Sequence, residues 1–144
     1  MKIIKKIFYL FLILFFVYKF FFYVDISNGC FVRFKPSFME FNTGNIKDAI
    51  AVLKNAVPQE YQKFCGNVSK INPNIACGGF GGGCFYGTER EIYLWTSHGS
   101  FVGWTAAIIA HETCHVVQDL EERTMEEGEC YKIGNEVLKS IVEY

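Results

Sequence analysis

Apolar residues in this chain first run almost unbroken and then break into periodic stripes. Lys2, Lys5 and Lys6 precede residues 7–18, a stretch without a charge, and after Lys19 the apolar run resumes through Val24. At 1.5 Å per residue, positions 7–24 reach about 27 Å, enough for a bilayer core if Lys19 snorkels outward. This pattern predicts one N-terminal transmembrane helix, an anchor over residues 1–24 with its lysines on the cytoplasmic side. A cleaved signal peptide with 7–18 as its apolar region is the alternative, disfavoured because KFFFYVDISNGC offers few small residues for cleavage. Residues 25–42 then read as a juxtamembrane linker.

The periodic part begins at Thr43. Ile46, Ala49, Ile50, Leu53 and Val57 repeat at helical spacing, and Pro58 can open a second helix through Tyr61 and Phe64 that ends near Gly66-Asn67. Residues 68–71 and 91–95 (EIYLW) are short strand candidates, and the glycine-rich segment 72–84 between them reads as a loop. Residues 101–110 (FVGWTAAIIA) carry no charge at all, which marks a helix buried nearly all round, with Ser100 as its N-cap and its end near Gln118. The acidic stretch 119–122 turns the chain. A last helix over 124–142 places Cys130, Ile133, Val137 and Ile141 on one stripe.

Charge and cysteine content add compartment and exclude one class of partner. Without its first 24 residues the chain has a formal net charge of −5, so nucleic acid is not expected as a partner. All six cysteines follow the apolar segment, which suggests disulfides in an exported domain. Cys77 and Cys84 bracket a run of glycines, and Cys114 and Cys130 lie on successive helices, which leaves Cys30 with Cys65. The expected location is therefore a single-pass membrane protein with its domain on the extracytoplasmic side, or a secreted or periplasmic form if the leader is cleaved.

Chemistry concentrates at His111-Glu112-Thr113-Cys114-His115. On a helix, His111 and His115 stand one above the other and can grip one metal ion. Glu112 is turned about 100° away, where its carboxylate can reach a water rather than the metal. A buried, otherwise uncharged helix needs such a cation to satisfy these groups. A catalytic zinc site takes a third protein ligand. Helical projection of the last helix favours Glu127, with Glu126 as the alternative and Glu129 facing solvent. A structural site using Cys114 is disfavoured, because Cys114 points away from the histidine face. Tyr131 and His98 are candidates for stabilising an oxyanion.

His111-Glu112-Thr113-Cys114-His115 followed by Glu127-Gly128-Glu129-Cys130 resembles the gluzincin metallopeptidases. Across about residues 85–142 the chain is similar to small exported or phage-type metallopeptidases with a cysteine in the motif and Glu-x-x-Cys on the next helix. The resemblance implies an α+β, zincin-like domain over 43–144, a short β-sheet with a helical lobe. It implies Zn2+ held by His111, His115 and Glu127, and hydrolysis of a peptide or protein substrate by a zinc-activated water with Glu112 as general base. It also implies that EIYLW is the sheet edge along which substrate lies. The chain departs from the family in the short interval of 11 residues between His115 and Glu127, and in a cysteine where many members carry alanine. The rival expectation is a catalytically silent, disulfide-bonded binding module of the same shape, which would have no use for Glu112.

Overall fold

Alternation in Cys30-Phe31-Val32-Arg33-Phe34, with Cys30, Val32 and Phe34 turned inward, makes a half-buried strand of a segment expected to be a linker. The computed structural model describes residues 2–37, 43–73, 77, 82–87, 89–95 and 101–143. Among them the chain forms α1 (Lys2–Phe21), β1 (Phe22–Asp25), β2 (Cys30–Phe34), α2 (Thr43–Ala56), α3 (Pro58–Asn67), β3 (Lys70–Pro73), β4 (Gly83–Phe85), β5 (Glu91–Leu94), α4 (Val102–Leu120) and α5 (Glu127–Val142). The fold is mixed α+β, with one five-stranded sheet in the order β1-β2-β3-β5-β4.

The start of the chain differs most from expectation. Residues 22–25 do not extend α1. They pair antiparallel with β2, from Phe22 opposite Arg33 to Asp25 opposite Cys30, across a tight turn closed by Gly29 at φ 63°. The helix therefore covers only about 22 Å beyond Lys6 instead of 27 Å. Among the described residues, no helix is long and apolar enough to cross a membrane. The linker expected over 25–42 is corrected in the same way: Asp25 and Cys30–Phe34 belong to the sheet, and Cys30 is bonded to Cys65 of α3.

From β2 the chain crosses through α2 and α3 to β3, which lies parallel to β2, and β5 lies parallel to β3. β4 and β5 form an antiparallel hairpin, Gly83 opposite Leu94 and Phe85 opposite Ile92. EIYLW is thus an interior strand, and the edge expected of it belongs to β4, a segment whose glycines read as loop. The core joins Val32, Phe34, Ile71, Ile92 and Leu94 of the sheet to Ile46, Ile50 and Leu53 of α2, Tyr61 and Phe64 of α3, and Ile109 of α4.

α4 is the central helix, packed against α2, α3, α5, β4 and β5. Every residue from Thr105 to Val116 is buried, as its uncharged sequence predicts. The N-cap position is Phe101, and the expected cap Ser100 lies outside the described residues. α5 starts at Glu127 rather than 124, because Glu126 is extended (φ −107°, ψ 101°). Among its residues Cys130, Gly134 and Val137 are buried.

Candidate metal centre

Histidines four apart on α4 bring their rings to one spot, with Nε2 of His111 and Nε2 of His115 3.2 Å apart. Both side chains are buried. Glu127, the first residue of α5, brings Oε2 to 3.4 Å from each of these nitrogens. Two bonds of 2.0–2.1 Å in a tetrahedral shell subtend a ligand-to-ligand edge of about 3.3–3.4 Å. The three separations match that edge, so His111, His115 and Glu127 form a group that can hold a metal ion. The donor set, two imidazoles and one carboxylate with a cleft on the open side, suits a cation that keeps a position free.

Two features place Glu127 there. The Cys114–Cys130 disulfide ties the middle of α4 to the first turn of α5. The connector before α5 is held by Arg123, which donates to Glu129 at 2.9 Å and to Glu121 at 2.7 Å. Glu129 is therefore an ion-pair partner rather than the solvated residue expected. Glu126 stays outside the ligand group. Its backbone N–H and C=O both meet the side chain of Gln118, each at 3.2 Å.

Glu112 faces the cleft of about 390 Å³ that β4 borders on one side and Met125 and Glu127 on the other. It is only 2% exposed. Burial, and secondarily the Glu127 charge, push its carboxyl up to about 8. Burial, followed by the neighbouring His115, pushes His111 below the usual imidazole range, so its ring is neutral, the form that binds metal. Gly83 lets β4 come this close. A Cβ there would overlap the Glu112 carboxylate and stand 2.5 Å from Ile108 Cγ2.

Of the two residues considered for an oxyanion, Tyr131 lies with its ring centroid 4.9 Å from that of His111, and His98 lies outside the described residues. Two residues at the site were not singled out from the sequence. Gln118, three positions after His115, is fully buried, and its Oε1 is 3.1 Å from His115 Nδ1. Its i,i+3 spacing from a proposed ligand was the available signal. Gly83 had no comparable one, being one glycine among several. Against known proteins, the chain matches no family model, no curated protein and no solved structure.

Proposed function

We propose that this chain is a zinc-dependent metallopeptidase with a zincin-like domain, in which His111, His115 and Glu127 hold the ion and Glu112 is the general base. The observation that carries this reading is the convergence of three ligand atoms at tetrahedral spacing beside a buried carboxylate that ligates nothing. When bound, zinc supplies an acidified water and polarises a carbonyl. Glu112, whose buried carboxylate faces the cleft beside the ligand atoms, takes a proton there and returns it to the leaving amine. β4 borders the cleft, and Gly83 packs against Glu112, which is 2% exposed. The outer edge of β4, in the place expected of EIYLW, offers backbone groups to an extended peptide or protein substrate.

The same proposal places the domain outside the cytoplasm. Three disulfides among the described residues favour an oxidising compartment. α1 exposes apolar side chains on all sides, Ile7, Phe11 and Leu14 among them, with Lys5 and Lys6 near one end and Lys19 near the other. A helix of that kind associates the domain with a membrane.

Zinc stoichiometry and cleavage of casein or a peptide library, measured on the wild type and Glu112→Gln, test the reading. The expected result is one zinc per chain in both proteins, with hydrolysis reduced by about 10²–10⁴-fold in the variant. A wild type that binds no zinc, or a variant that cleaves as fast, overturns it. Zinc in both with hydrolysis in neither would favour the silent binding module.

A further inference from the structure

We infer that Gln118 is a positioning residue that fixes the tautomer of His115 and the main chain beside Glu127 with one side chain. This rests on the metal-centre reading above and adds to it a residue outside the ligand set.

Three partners of the Gln118 amide have hydrogen-bonding roles that cannot vary. The Glu126 backbone N–H only donates, and it meets Gln118 Oε1 at 3.2 Å. The Glu126 carbonyl only accepts, and it meets Gln118 Nε2 at 3.2 Å. The Glu129 carboxylate also accepts from Nε2, at 2.9 Å. The amide of Gln118 thus has one possible orientation, with its oxygen turned toward His115.

Oε1 lies 3.1 Å from His115 Nδ1. An oxygen that can only accept requires Nδ1 to carry the proton, so the lone pair of His115 sits on Nε2. That nitrogen is the one facing His111 and Glu127. Cys130 Sγ also lies 3.5 Å from Nδ1, and as a disulfide sulfur without a proton it is compatible with the same tautomer.

One buried amide therefore joins the second histidine to the residue immediately before the carboxylate ligand. His115 is set electronically and Glu127 is set in space. A packing role alone would be served by any side chain of similar volume. The hydrogen-bond pattern is not.

The test uses the full chain, stripped of metal with chelator, as wild type, Gln118→Met and Gln118→Glu. Methionine keeps the volume and removes the acceptor, while glutamate keeps an acceptor for Nδ1–H. Long-range 1H–15N NMR reads the His115 tautomer, and titration with zinc against a competing chelator reads affinity. The expected result is an Nδ1–H tautomer in the wild type and in Gln118→Glu. Gln118→Met should populate the Nε2–H form and bind zinc about 10–100-fold more weakly.

Unchanged tautomer and zinc affinity in Gln118→Met would overturn the inference, as would an Nε2–H wild type. If Gln118→Met does not fold, the tautomer of Gln118→Glu decides, Nε2–H counting against. A wild type that binds no zinc but holds the Nδ1–H form would sink the metal reading and leave the Gln118 lock standing.

Discussion

Two clusters of ionisable groups in this domain are built on opposite principles. At the β1–β2 turn, Asp25 receives hydrogen bonds from Ser27 (2.6 Å), Lys54 (2.7 Å), Tyr61 (2.7 Å) and Asn28 (2.8 Å). Lys54 first, and these neutral donors with it, hold its carboxyl well below the usual carboxylate range. Between α4 and α5, two carboxylates and two imidazoles meet. No lysine or arginine lines their cleft among the described residues. There burial pushes Glu112 the other way, up to about 8. The first cluster supplies its own cation and is complete. The second leaves room for one from outside, as a site would rather than a structural support.

The largest test of that contrast is pH. In metal-free protein Glu112 is protonated when folded up to about pH 8, whereas unfolded it ionises near 4.5. A raised carboxyl binds more protons in the native state, so stability falls as pH rises from about 4.5 to 8 and levels off above. At about 1.4 kcal/mol per pH unit, the loss is on the order of 5 kcal/mol. Glu112→Gln lacks it. The difference in urea-unfolding stability between the two proteins, measured in chelator at pH 5, 7 and 9, isolates this carboxyl because His111 titrates in both. Parallel profiles would mean the Glu112 charge is already compensated within the chain.

Next in size is the ligand that comes from the other helix. Glu127→Gln removes the anion while keeping the shape, and zinc affinity is expected to fall by more than about 100-fold, beyond the loss typical of an outer-shell partner. The Glu127 side chain is 64% exposed. Thermal stability without metal should therefore hardly change, a separation of binding from folding that no residue around Asp25 would show. Zinc titration paired with melting curves checks both halves.

How far these features could be read from sequence follows from how local their signals are. α2, α3 and α4 announce themselves by spacing and by Pro58, and His111, Glu112 and His115 sit on one of those helices. Two of the disulfides follow from cysteines that bracket a run of glycines or lie on consecutive helices, and Cys30–Cys65 is the pair that remains. β1 was hidden because Phe22, Tyr23 and Val24 continue an apolar run. Only the partner residues 30–33, across a turn, make them a strand. β4 was hidden for the opposite reason. Gly83 is required by its approach to Glu112, and the residue that permits that approach is the one composition assigns to a loop. Gln118 reads as the last turn of a helix until the connector folds back on it.

The smallest expected effect lies in the completed cluster. Asp25→Asn keeps the size and loses the charge that Lys54 and Tyr61 address. Because the folded carboxyl is depressed, its contribution is fully present above the unfolded value near 4 and is lost as pH falls below it. The variant should be less stable than wild type at pH 7, and the gap should close toward pH 2, the mirror image of the Glu112 profile. Lys54 is 40% exposed, so solvent screens the pair and the change is expected to be the most modest of the three. Its sign is still diagnostic. If Asp25→Asn were stabilising at neutral pH, as Glu112→Gln is expected to be in metal-free protein, the turn cluster would also be short of a cation, and the contrast between support and site would fail.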